Sequence, residues 1–378
     1  MLIYWLSIFY GFVVAKMAFC VSKRRSWTFF LWLPLIIFPL AMVAACRDLT
    51  IGTDLGGYGL RIFDRAIQAQ SLEQPLSLFD DGMIEIGYIA LNLLVAKFSI
   101  SYHVFFFWHQ FLVLSCVLLG TFLMREYLRK PEMFFLIYLL YLYAFSFSML
   151  RQSLAVGISI LAVYFLIQRN LKFFLLVCVL GYFFHNSILF FVPFYFLPDL
   201  IKRFPKVNFE ILGGLCGAIL YIVFPKIVLL LLSSGLINAK YERYANAVYN
   251  SHKTNLCLYV LLWLIALVYS KKERLLCTAK SEVLYNLRCV RTVCVLAFFI
   301  ELCGRYNDIA SRLTMYLFFW VISVLLHSIY EVRTSLSRVK IYGVAIVAFM
   351  ILFFAYSGYV LRTADLFPYT SQILGIVK

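Results

Sequence analysis

Residues 341–361 read IYGVAIVAFMILFFAYSGYVL, without one charged side chain. At about 1.5 Å per residue, such a run is long enough as a helix to span a hydrocarbon layer about 30 Å thick. A membrane strand would alternate apolar and polar residues, and this run does not. Residues 133–150 and 313–330 have the same character. Across all 378 residues, 64% are hydrophobic and 19% aromatic, while only 14% are charged. A soluble domain carries about 25% charged residues, so this chain has too little polar surface to clothe a water-soluble globule. The expected class is an all-α integral membrane protein, one polytopic domain over 1–378 with about twelve transmembrane helices.

The expected spans are 2–22, 27–45, 102–124, 133–149, 152–168, 172–184, 186–198, 208–232, 255–270, 288–303, 312–331 and 341–361. Residues 85–100 do not fit as a full crossing, because 102–124 must run from the outer side to the basic connection at 125–130; they read as a short or re-entrant helix on the outer side, which lipid permits only when it is packed in protein or lines a wet cavity. The pair near 172–198 is also short and flanks the polar His185-Asn186-Ser187, as in a hairpin reaching part-way across. The basic cluster Lys23-Arg24-Arg25 follows the first apolar stretch instead of preceding it, so residues 1–22 are expected to be kept as a span. No fixed-period repeat and no Pro- or Ser-rich linker divides the sequence.

Lys and Arg number 34 against 18 Asp and Glu, a net charge of +16. Short basic connections at 23–25, 125–130, 169–172, 202–206, 271–291 and 333–340 hold much of that excess, and the positive-inside rule places them in the cytoplasm. No basic run is long or set in a soluble module, so a nucleic-acid partner is not expected. The connections 46–84, 149–152, around 185, 225–254, 304–312 and 362–378 then face out. The first is acidic: between 46 and 85, Arg47, Arg61 and Arg65 stand against seven carboxylates. The ten cysteines form no C-x-x-C pair and no array with His at metal spacing.

Polar residues gather at the outward ends of these spans. Arg47 and Asp48 follow 27–45, Glu85 opens the short helix, and Arg151-Gln152 caps 133–149. His185 follows Phe183-Phe184, and Arg305 and Arg312 bracket the start of 312–331. Charged groups within a membrane are expensive, which makes each of them a candidate for function. In Arg47-Asp48-Leu49-Thr50-Ile51-Gly52-Thr53-Asp54-Leu55-Gly56-Gly57-Tyr58-Gly59, four glycines allow close backbone approach, while Arg47, Thr53, Asp54 and Tyr58 supply cation, hydroxyl, carboxylate and aromatic face. An exposed turn and an anion-binding loop both fit. The arginines fit bidentate phosphate contacts, and equally interface anchors or partners of loop carboxylates. His185 fits a proton carrier or a satisfied interfacial histidine; Asp54 and Glu85 fit general bases or ion-pair partners.

The ordered set of motifs resembles the EpsG/Wzy-type polysaccharide polymerases. It comprises Arg47 with Gly52-Thr53-Asp54 and Tyr58, Glu85-Ile86-Gly87-Tyr88, Leu150-Arg151-Gln152-Ser153-Leu154-Ala155, Phe184-His185-Asn186-Ser187, Ser311-Arg312-Leu313-Thr314-Met315-Tyr316 and Phe367-Pro368-Tyr369. The resemblance implies a glycosyltransferase in the bacterial inner membrane, with 46–84 and 225–254 as first and second periplasmic loops and the active site facing the periplasm. Donor and acceptor would both be oligosaccharides linked to undecaprenyl pyrophosphate, without cofactor or required metal, with membrane lipid around the chain and a chain-length regulator protein as a partner. Arg47, Arg151, Arg305 and Arg312 are then the expected pyrophosphate ligands, and Asp54, His185 and Glu85 the catalytic candidates. Thr53, Tyr58, Gln152 and Tyr369 are the expected substrate contacts. An O-antigen ligase using the same donor and a flippase for lipid-linked sugar are the competing readings.

Overall fold

The computed structural model describes residues 1–70, 78–79, 84–234, 253–276, 281–304, 308–331 and 336–377. Among them there is no strand, and helices follow the apolar runs in order. They are α1 (Leu2–Ser22), α2 (Thr28–Cys46), α3 (Arg61–Ala69), α4 (Ile86–Ala96), α5 (Tyr102–Leu123), α6 (Arg125–Leu128), α7 (Pro131–Tyr138), α8 (Leu150–Ile167) and α9 (Leu171–Tyr182). Then come α10 (Leu197–Arg203), α11 (Phe209–Ser233), α12 (Lys253–Leu276), α13 (Ser281–Cys303), α14 (Asp308–Glu331) and α15 (Leu336–Ala355). Seven helical stretches among the described residues are long and apolar enough to cross a membrane: Leu2–Ser22, Thr28–Cys46, Tyr102–Leu123, Leu150–Ile167, Thr254–Lys271, Ala310–Tyr330 and Ile341–Leu361. The apolar helices Ile86–Ala96, Pro131–Tyr143, Leu171–Tyr182 and Phe209–Phe224 are shorter.

The chain clusters into two compact units, Met1–Leu189 with Val347–Lys378, and Phe190–Ile346. In the first, α5 is central. Phe122 on α5 stacks on Phe29 of α2 at 4.4 Å, and Phe29 stacks on Phe19 of α1 at 4.9 Å. On its other side α5 meets α8 so closely that a Cβ on Gly120 would lie 2.8 Å from the Ile160 side chain and 3.1 Å from its carbonyl carbon. Lipid offers apolar helices little reason to prefer one another to acyl chains, so this close backbone approach is what holds the pair. In the second unit α13 packs against α11, α12 and α14.

Where regular helix fails, side chains complete the backbone. Pro39 lies inside α2 and lacks the N–H that would reach Leu35; the Tyr10 hydroxyl donates to the Leu35 carbonyl instead, at 2.8 Å. The run expected as one helix at 133–149 is α7 followed by a π turn at Leu139–Tyr143 and a 3₁₀ turn at Phe145–Phe147. The span expected at 186–198 is a 3₁₀ stretch, Asn186–Phe196, that carries Pro193 and leads into α10.

The acidic connection expected as a loop is structured in part, with a π-helix at Leu55–Leu60 running into α3. Of 225–254, residues up to Ser233 continue α11, and 235–252 lie outside the described residues. Helix α4 spans eleven residues, about 16 Å, too short for a crossing and in keeping with the short helix expected at 85–100. Its start is fixed by the Gly87 N–H donating to the Phe183 carbonyl at 2.8 Å, with a Cβ on Gly87 meeting that oxygen at 2.6 Å. Gly87→Ala is therefore expected to cost about 1–3 kcal/mol, as overpacking does, lowering the thermal unfolding midpoint of the detergent-purified chain. An unchanged midpoint would show that the contact does not hold α4.

Candidate functional site

The C-terminal end of α2 anchors the region. A helix leaves its last four carbonyls without intrahelical partners. Here Val43 O accepts from the Tyr369 hydroxyl at 2.8 Å, Ala44 O from Arg47 Nη1 at 2.7 Å, and Cys46 O from the Ser371 hydroxyl. Ala45 O lies 2.6 Å from His103 Nδ1, which must carry the proton because the carbonyl can only accept. Arg47 Nη2 also donates to Phe147 O at 3.1 Å, a carbonyl of the 3₁₀ turn that ends the broken α7 stretch. Its guanidinium sits over the rings of Phe106 at 4.2 Å and Phe147 at 5.0 Å. Arg47 is 1% exposed, and burial pulls its guanidinium down to about 10, leaving it charged at neutral pH.

Beyond Arg47 the glycine-rich segment turns back. Gly52 has φ +110, and a Cβ there would lie 2.9 Å from Phe147 O, so only glycine suits the position. Thr53 is exposed; its N–H donates to Ser148 Oγ at 3.0 Å, and the two hydroxyls are 2.7 Å apart. Gly56 and Gly57 face open space. The Asp54 carbonyl accepts from the Tyr58 N–H at 2.8 Å and from the Gly59 N–H at 3.3 Å, the second being the bond that starts the π-helix carrying Tyr58.

That ring meets Arg151, whose guanidinium carbon lies 3.9 Å from its centroid. Arg151 occupies the first turn of α8, where the helix dipole already places positive charge, and so calls for a carboxylate. Glu85, at the N-cap of α4, supplies it: Arg151 Nη1 to Glu85 Oε2 is 2.6 Å, with side chains 12% and 15% exposed. Glu85 Oε1 accepts the Asn186 N–H at 3.4 Å. Next to Asn186, His185 Nδ1 accepts the Ser187 N–H at 3.2 Å and lies 2.7 Å from its hydroxyl, so the neutral ring carries its proton on Nε2. Tyr88 donates to Tyr58 O at 2.9 Å, and its hydroxyl lies within electrostatic reach of Arg151, Asp54 and Arg47.

The structure thus joins Arg151, Glu85 and Tyr58 directly, with the His185 loop attached through Asn186. Gln152 and Tyr369 are 4% and 3% exposed and enclosed by protein. In the second unit, Arg312 is half-buried in the second turn of α14, and Arg305 lies outside the described residues. One polar cluster there was not singled out from the sequence. Glu301, 1% exposed in α13, accepts from Asn255 Nδ2 at 3.3 Å and from the Thr314 hydroxyl, while Tyr259 donates to Thr314 O at 2.9 Å. Its signal was a lone carboxylate within the apolar run FFIELC. No three His, Cys, Asp or Glu side chains assemble into a metal-binding group among the described residues.

The chain belongs to the EpsG family, whose model matches residues 30–371 and so takes in every motif of the resemblance. Membership carries a polysaccharide polymerase-type function. No curated protein and no solved structure matches the chain.

Because Arg47 bridges two carbonyls and lies between two rings, Arg47→Lys keeps the charge but loses the fork. Charge-assisted hydrogen bonds contribute about 1.5–3 kcal/mol each. Arg47→Lys is expected to lower the unfolding midpoint by several degrees and Arg47→Ala by more. Equal midpoints for all three proteins would remove Arg47 from the anchor.

Proposed function

We propose that this EpsG-family chain is a membrane-embedded glycosyltransferase that polymerises lipid-linked oligosaccharide repeat units, in the manner of an O-antigen polymerase. The donor is a growing glycan on undecaprenyl pyrophosphate and the acceptor a repeat unit on the same lipid. The reaction takes place at the periplasmic face of a bacterial inner membrane, in a chain that crosses it about twelve times. The observation that carries the reading is the Arg151–Glu85–Tyr58 contact, a cation, a carboxylate and an aromatic face held together beside the His185 loop.

In the proposed step the acceptor hydroxyl oxygen bonds to the anomeric carbon of the donor. The bond from that carbon to the pyrophosphate oxygen breaks, and its electron pair leaves with undecaprenyl pyrophosphate. The hydroxyl proton passes to a base, drawn from Glu85, Asp54 and His185. Negative charge on the leaving group grows as the bond breaks, so a guanidinium placed against it stabilises the transition state more than the ground state. Arg151 has that part, with no metal required, and the motif resemblance assigns a pyrophosphate contact to Arg305 and Arg312 as well. Arg47 and Tyr369 act by position, since both are enclosed and bonded to backbone carbonyls. Tyr58 and Thr53 are the sugar contacts on the exposed side, and Gln152 is enclosed in the first turn of α8.

Arg151→Ala is expected to lower polymerisation by about 10²–10³-fold, as loss of one transition-state charge partner does, with normal amounts of inserted protein. Arg312→Ala is expected to act in the same direction. The check is the lipopolysaccharide profile of a deletion strain carrying each variant. A single repeat unit on the core supports a polymerase, bare core points to a ligase or a flippase, and normal long chains from both variants overturn the assignment of the arginines.

A further inference from the structure

Building on the reading of Arg151 as a pyrophosphate ligand, we propose that Glu85 occupies the anion site in the resting protein, and that the lipid-linked pyrophosphate enters by exchange, taking Arg151 and releasing the Glu85 carboxylate. One face of the Arg151 guanidinium lies on the Tyr58 ring at 3.9 Å, while its Nη1 edge meets Glu85 Oε2 at 2.6 Å. A phosphate oxygen bonds the same N–H donors, so at Nη1 Glu85 and a bound phosphate compete for one position. The released carboxylate has a second hold. Its Oε1 already accepts the Asn186 N–H at 3.4 Å, on the loop that carries His185. Exchange therefore carries Glu85 away from the cation and toward His185 and Ser187.

The consequence is ordered chemistry. While Glu85 pairs with Arg151, its Oε2 is held against the guanidinium and its Oε1 against the Asn186 N–H. Once donor pyrophosphate holds Arg151, the freed carboxylate accepts the proton of the acceptor hydroxyl as that oxygen bonds to the anomeric carbon and the pyrophosphate departs with the electrons of the broken bond. Without donor, the base stays paired.

A protein whose binding-competent form is a minor population binds with an affinity reduced by that fraction. Glu85→Gln removes the competing charge, and is expected to bind inorganic pyrophosphate about ten- to a hundredfold more tightly than wild type by calorimetry on the detergent-purified full-length chain, while polymerisation falls. Affinity equal to or weaker than wild type overturns the exchange, as does unchanged polymerisation in this variant. Arg151→Ala separates the two ideas: binding intact there sinks the anion-site reading itself, whereas binding lost there with no gain in Glu85→Gln sinks the exchange alone. Wild-type protein gives a measurement free of any folding defect. Carbodiimide labelling of Glu85, read by mass spectrometry, is expected to accelerate severalfold when pyrophosphate is present, and protection would overturn the proposal. Undecaprenyl pyrophosphate in mixed micelles is expected to give the same acceleration at lower concentration; acceleration by inorganic pyrophosphate but none by the lipid would overturn the lipid-linked ligand.

Discussion

Within lipid or packed protein, a helix cannot leave its terminal carbonyls to water, and the first unit is organised around meeting that demand at the end of α2. Four consecutive carbonyls, Val43 to Cys46, are served by Tyr369, Arg47, His103 and Ser371. These side chains come from the loop after α2, from α5 and from the C-terminal tail, so satisfying one helix end ties together segments from three parts of the sequence. The same arginine reaches Phe147 O, where the π and 3₁₀ turns after α7 leave regular helical bonding. Its charge is tolerated because it is hydrogen-bonded to carbonyls and lies between aromatic rings.

The candidate site grows from this anchor. Arg47 fixes the start of the glycine-rich segment, Gly52 lets it turn over Phe147, and the short π-helix sets the Tyr58 ring on Arg151. From the other side, the close contact of Gly87 with Phe183 sets Glu85 against Arg151 and Asn186. Two glycines thus serve one ion pair: one by its positive φ, the other by the missing side chain. A cation at the positive end of α8 repels that helix end unless an anion joins it, and the local field there favours an anion whether it comes from protein or from ligand.

Much of this architecture could be read from the sequence. Uncharged runs such as 341–361 set the helices, and the brevity of Ile86–Ala96 was visible in where its neighbours had to begin. The ends of elements carried the polar residues, and family motifs supplied their order. Other features were hidden. MFFLIYLLYLYAFSFSML at 133–150 contains neither Gly nor Pro, so nothing in its periodicity forecasts the π and 3₁₀ turns or the bond from Arg47 to Phe147 O that meets them. Residue type marked Arg47 and Arg151 equally as phosphate ligands, whereas burial separates them, one bonded to backbone carbonyls and the other to a carboxylate. Glu301 was passed over because its partners Asn255 and Thr314 lie on other helices.

The tail has a bearing on how the protein is made. Leu366 accepts from the Tyr4 hydroxyl at 3.0 Å, Thr370 O accepts the Asp48 N–H at 3.0 Å, and the Gly52 N–H donates to Asp365 O at 3.2 Å. The first two helices and the loop that follows them are thus completed by residues translated more than three hundred positions later. At about 5–20 residues per second, α2 waits tens of seconds for the groups that finish its end. During that interval the anchor beneath the ion pair lacks Tyr369 and Ser371. A nascent or truncated chain that lacks these residues therefore holds the end of α2, and the candidate site above it, unfinished.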